Sequence, residues 1–99
     1  MYEDKLPNQS HSKPRIPIAV DCWFPTGSES KPKILMIKFK EPEGDIITIK
    51  PVTNLSCDIS PYFNGIVEFR CEIIYREYKR NIIVYFYPKD LKWEMTMIN

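Results

Sequence analysis

The side chains in this sequence best suited to chemistry are three cysteines, Cys22, Cys57 and Cys71, and a group of tyrosines and arginines in the second half. A thiol becomes a nucleophile or a metal ligand once it loses its proton. Nucleophilic catalysis also needs a base beside it. The one histidine, His11, falls in a polar N-terminal stretch, away from all three cysteines. Metal sites built on cysteine use clustered ligands such as a C-x-x-C pair, and these cysteines are widely spaced. Cys22 and Cys71 fall on apolar faces, where core packing is the plainer role. Cys57, next to Asp58 in an irregular stretch, is the thiol most open to solvent, and an unreactive loop cysteine is the plainer reading there too. An odd number of unpatterned cysteines predicts free thiols in a reducing compartment.

Other catalytic constellations are missing from the sequence. Gly27, Gly44 and Gly65 stand alone in separate turns, so no glycine-rich phosphate loop exists and no cofactor is expected. Glu68 and Glu72 alternate with Arg70, a pattern of a solvated, charge-balanced face. Asp21 has no second carboxylate near it to set two pKa values apart. The expectation is a protein that is not an enzyme.

The aromatic and basic residues suggest binding instead. Tyr75, Tyr78, Tyr85 and Tyr87 lie close in sequence to Arg70, Arg76 and Arg80, with Lys79 among them. Aromatic platforms beside a basic groove bind single-stranded nucleic acid. The formal net charge is only +1, from 14 basic and 13 acidic residues, and Glu68, Glu72 and Glu77 dilute the local positive charge. Nucleic acid is therefore the secondary expectation. Ile83, Tyr85 and Tyr87 on one strand face would make an apolar patch able to pair subunits as a homo-oligomer. A small-molecule site or an enzyme using the 53–65 loop is a third alternative. No apolar run approaches the ~20 residues of a membrane span. The N-terminus lacks a signal-like apolar stretch, and the expected compartment is the cytoplasm.

These side chains need elements to position them. Alanine appears once and β-branched and aromatic residues abound, a bias toward strands. Residues 1–15 are polar, broken by Pro7 and Pro14, and read as a flexible arm; the domain spans 16–99. From Ile16 to Phe24 apolar side chains alternate, with Ile16, Ile18, Val20, Cys22 and Phe24 on one face. The second strand covers Lys33 to Lys40, with Leu35, Ile37 and Phe39 sharing a face. A tight turn at Glu41 to Asp45 leads to a third, Ile46 to Lys50, which Pro51 ends. Thr53 to Gly65 reads as irregular, with room for one helical turn at Ser60 to Phe63. Ile66 to Tyr75 alternates most clearly. A polar turn, Arg76 to Arg80, leads to Asn81 to Tyr87, apolar on both faces and so central or covered twice. Leu91 to Ile98 closes the series with Trp93, Met95 and Met97 inward.

Five to six short antiparallel strands without a helix predict an all-β fold, a small antiparallel barrel of SH3-like or related type. The segment from Val20 onward resembles short bacterial small-barrel proteins. The residues that carry the likeness are Asp21-Cys22-Trp23-Phe24, the stretch from Pro32 to Phe39, Phe69-Arg70-Cys71 and Trp93. The resemblance implies a small β-barrel and no particular activity. The expected role is a non-enzymatic interaction or structural module.

Overall fold

The computed structural model describes residues 14–26, 31–59 and 65–98. Among these residues seven strands follow one another: β1 (Ile16–Trp23), β2 (Lys33–Lys40), β3 (Ile46–Ile49), β4 (Thr53–Ile59), β5 (Val67–Tyr75), β6 (Tyr78–Tyr87) and β7 (Lys92–Met97). They form one sheet in the order β3-β2-β1-β7-β6-β5-β4. Each ladder is antiparallel. The all-β, antiparallel expectation holds, whereas the strand number and closure do not. Seven strands curl into an open half-barrel rather than a closed barrel of five or six.

The extra strand is β4. It lies inside the stretch expected to be irregular, and its sequence, TNLSCDI, has neither strict alternation nor a strong apolar face. A register shift between Asn54 and Ser56 explains the lost pattern, because a bulge changes which side chains turn inward. The helical turn expected at Ser60 to Phe63 lies outside the described residues, as does the arm apart from Pro14 and Arg15.

Because each ladder is antiparallel, β3 and β4 run in the same direction, joined through Lys50, Pro51 and Val52 with a cis Lys50–Pro51 bond. No ladder joins β3 to β4. In sequence order every neighbouring pair of strands is hydrogen-bonded except these two, and β1 also pairs with β7. The opening of the half-barrel is therefore a seam, with β2 and β3 on one side and β4 and β5 on the other.

The interior is filled by alternating side chains. Ile34, Ile37, Phe39, Phe69, Cys71, Ile73, Ile82, Val84 and Met95 are its buried centre, with Ile16, Ile18, Val20 and Cys22 packed against it. Burying one such side chain contributes roughly 1.5–3 kcal/mol. The inward sets expected for β1, β5 and β7 are observed, except that Phe24 lies past the end of β1 and is exposed. On β2 the expected face fails in one place. Leu35 is exposed and Ile34 is buried instead. The register of β1 on β2 slips at Asp21/Cys22, where Asp21 faces Met36 and Cys22 faces Ile34, so Leu35 is the bulged residue. β6 begins at Tyr78 rather than Asn81, because the turn before it is Arg76-Glu77 alone. As its two apolar faces require, β6 is central, with Ile82 and Val84 inward and Ile83 and Tyr85 buried on the other face.

Candidate interaction surface

The β5–β6 hairpin separates the expected tyrosine–arginine surface into two groups. Tyr75, Arg76, Tyr78 and Arg80 gather at its tip, while Tyr85 and Tyr87 lie toward the far end of β6 and Arg70 midway along β5. At the tip, Arg76 and Glu77 both have positive φ, 53° and 70°, a conformation usually left to glycine or asparagine. Arg76 is anchored there: its guanidinium bonds the Glu41 carboxylate at 2.8 Å. The Tyr75 hydroxyl donates to the same carboxylate oxygen, and the Phe39 ring meets Tyr75 edge-on at 5.5 Å. Glu41 is itself placed by a tight turn, in which Gly44 N–H donates to the Glu41 carbonyl at 2.8 Å. The hydrogen bond from Tyr75, then that from Arg76, holds the Glu41 carboxyl below its ordinary pKa. Donating that bond to the carboxylate pushes the Tyr75 phenol up. Arg76 is thus committed to an ion pair across the seam, and Arg70 lies 4.0 Å from Glu68. Tyr78 remains 67% exposed, with the Arg80 guanidinium 5.7 Å over its ring. The Arg80 Nε is buried without a hydrogen-bond partner.

The second group is covered by a residue assigned to the arm in the sequence. Arg15 places its guanidinium 3.9 Å from the centre of the Tyr85 ring and donates to the Tyr87 hydroxyl at 2.6 Å. Tyr87 in turn donates to Glu94 at 2.8 Å. The Thr96 hydroxyl donates to the Pro14 carbonyl at 2.7 Å. Tyr85 is only 5% exposed, and burial raises its pKa. A base could not stack on the ring face that Arg15 covers. The apolar patch expected from Ile83, Tyr85 and Tyr87 is likewise reduced, since Ile83 and Tyr85 are buried and Tyr87 is half-buried. One signal for Arg15 was present in the sequence: it has the outward parity of Pro17 and Ala19, one step before the alternation begins.

The seam holds the remaining candidates. Here Asn54 of β4 reaches β2 through its side chain. The Ile34 N–H donates to Asn54 Oδ1 at 2.9 Å, and Asn54 Nδ2 donates to the Ile34 carbonyl at 2.9 Å. The carboxamide thus imitates one residue of a neighbouring strand. Three strand positions on, the Lys31 ammonium donates to the Cys57 carbonyl at 3.3 Å. β4 has strand hydrogen bonding to β5 alone among the described residues. Leu55 is 57% and Ile59 is 68% exposed beside this edge.

The fold brings the three cysteines nearer one another than their spacing suggests. Cys57 and Cys71 are diagonal neighbours across β4 and β5, and Cys22 pairs with Ile34, which Asn54 also holds. All three are free thiols. Burial first, then mutual repulsion of the thiolates, raises Cys22 to about 11 and Cys71 to about 12. Cys57 is half-buried on a strand, not an open loop thiol. Burial raises its pKa, and Lys31 only partly offsets this. Among the described residues no group of three His, Cys, Asp or Glu side chains is arranged to hold a metal ion. Among the described residues no helix is long and apolar enough to cross a membrane.

Compared with protein-family models, with curated proteins and with solved structures, the chain matches none.

Proposed function

We propose that this chain is a non-enzymatic interaction module that receives an extended partner segment at the free edge of β4. The observation that carries the reading is the open seam, where among the described residues a strand of 7 residues has no ladder on one side, is met there by the side-chain bonds of Asn54 and Lys31, and shows Leu55 and Ile59 to solvent. Unpaired N–H and C=O groups along an edge bind another extended chain, and side-chain pockets or contacts beside it supply selectivity. The thiol chemistry supports a role without catalysis, because all three thiols are pushed toward their protonated form. The same free thiols favour a reducing compartment, and the cytoplasm is part of the proposal.

Selection of extended peptides from a display library against the immobilised chain tests the reading. The expected result is a set of binders that shift the backbone amide resonances of Thr53 to Ile59. Binders that leave β4 unmoved and shift another surface, or no binder at all, would overturn it.

Nucleic-acid binding retains one specific observation as a second reading. Tyr78 is exposed beside Arg80 and Lys79 at the hairpin tip.

A further inference from the structure

We infer that the outer face of β1 and β2 around Trp23 and Leu35 pairs with the same face of a second copy of this chain about a two-fold axis, Asp21 of each copy meeting Lys33 of the other. The surface is the outside of the sheet rather than the edge of β4, so the inference goes beyond the reading of that edge and does not rest on it.

Two bulges build the surface. In β2 the residue without an opposite number on β1 is Leu35, and in β4 the residue without one on β5 is Leu55. A bulge re-aims its side chain, and both leucines leave the core, Leu35 with 48% of its surface exposed. They emerge close together. The bonds of Asn54 with Ile34, and of Lys31 with the Cys57 carbonyl, fit one antiparallel register, which sets Leu55 beside Lys33. On the other side of β2, Trp23 is opposite Lys33 and is 53% exposed. Leu35 lies two positions along β2 from Lys33, diagonal to both Trp23 and Leu55. Three large apolar side chains thus share one stretch of the outer face, with tryptophan among them, the residue type most favoured at the centre of an interface.

Charge identifies the occupant. The patch carries one charge of each sign: Asp21, opposite Met36, at one end, and Lys33 at the other. Neither side chain has an ion pair or hydrogen bond among the described residues. An apolar centre between equal and opposite charges complements itself. A half-turn brings Asp21 over Lys33 twice and sets Trp23 and Leu35 against their own copies. A purely acidic or purely basic partner would satisfy one of these charges and oppose the other. The net charge of +1 adds little repulsion between copies. Three half-exposed side chains offer roughly 300 Å², well short of the ~800 Å² per partner of a stable complex, so the dimer is weak and transient.

Sedimentation equilibrium on the full chain tests this, at low ionic strength and with loading raised to about 1 mM. A concentration-dependent dimer is expected. Leu35→Lys should weaken it by at least about tenfold and leave the circular dichroism spectrum unchanged, since the side chain is outside the core. Asp21→Lys and Lys33→Asp each turn both charge pairs repulsive, and each should weaken self-association by about tenfold. Mixed together, these two variants should associate with one another, because each then meets the opposite charge. A monomer throughout the range overturns the inference. So does a dimer indifferent to Leu35→Lys, or a pair of charge variants that fail to associate when mixed. A monomer whose Trp23 and Leu35 amides respond to selected peptides would give the face to an unrelated chain and refute the second copy. The response of the Thr53 to Ile59 amides is read separately, so the edge of β4 stands or falls independently of the dimer.

Discussion

A thiol with a pKa of about 11, such as Cys22, is almost wholly protonated at neutral pH. A free cysteine near 8.5 has a far larger thiolate fraction, so native alkylation should be slower by roughly 100-fold. Intact-mass measurement of iodoacetamide uptake at pH 8 should show slow labelling of the folded chain and rapid labelling in urea. A native thiol that reacts at the free-cysteine rate would contradict the fold's account of it. Glu41 makes the opposite kind of statement. Its carboxyl is held low by Tyr75 and Arg76, so the folded state favours the ionised form. The stability this contributes is complete above the unfolded carboxyl pKa, about 4.3, and is lost as pH falls through the lower folded value. Thermal unfolding followed from pH 7 to pH 2 should show this loss, and Glu41→Gln should lower the midpoint at pH 7 and flatten the acid slope. Equal slopes in the two proteins would remove Glu41 from the acid response. Glu41 did not stand out in the sequence, and Arg15 showed only its outward parity, not its partners. Their partners are 34 and 72 positions away, and no local pattern encodes such a meeting.

The strands differ in how openly their sequences announce them. β5 is legible because Val67, Phe69, Cys71, Ile73 and Tyr75 alternate without interruption and lie on one side of a central pair. β4 and the first half of β2 are not, for one shared reason. A bulge adds a residue, and the inward parity reverses beyond it. The consequences are Leu35 outside, Ile34 inside, and a polar strand held partly by the side chain of Asn54. That side chain carries a testable share of the fold. Asn54→Ala would leave the N–H and C=O of buried Ile34 without their partner, at a cost of about 2 kcal/mol. Urea unfolding measures the cost, and faster exchange of the Ile34 amide should accompany it. On the other face, Arg15→Ala should cost about 1 kcal/mol through loss of its contact with the Tyr85 ring and its bond to Tyr87. The same urea experiment reads this change; an unaltered midpoint would show that the Arg15 contacts add nothing to stability.

At the scale of the molecule, charge and topology act separately. Net charge of +1 gives little long-range attraction for a polyanion, and Arg76 and Arg15 are already engaged within the fold. Titration of labelled single-stranded oligonucleotides should therefore show no binding tighter than about 10⁻⁴ M at physiological salt, the weak end of non-specific association. Tighter, salt-sensitive binding would revive the Tyr78 surface. The topology was only partly legible, since the all-β class followed from composition and alternation, while the seam depends on how β4 meets β2, a contact made by one side chain. That seam also frees the chain's connectivity from its architecture. β1 and β7 are partners, with Ile16 opposite Met95 and the Pro14 carbonyl bonded to Thr96. The strands thus form a ring in which the one connection unsupported by a ladder is the passage from β3 to β4. Tying residue 98 back to residue 14 with a short linker, and opening the backbone between Pro51 and Val52, yields a circular permutant that starts at β4, finishes at β3 and keeps each ladder. In such a molecule β4 becomes a terminal strand, ready to be lengthened, tethered or exchanged between copies without altering the sheet behind it.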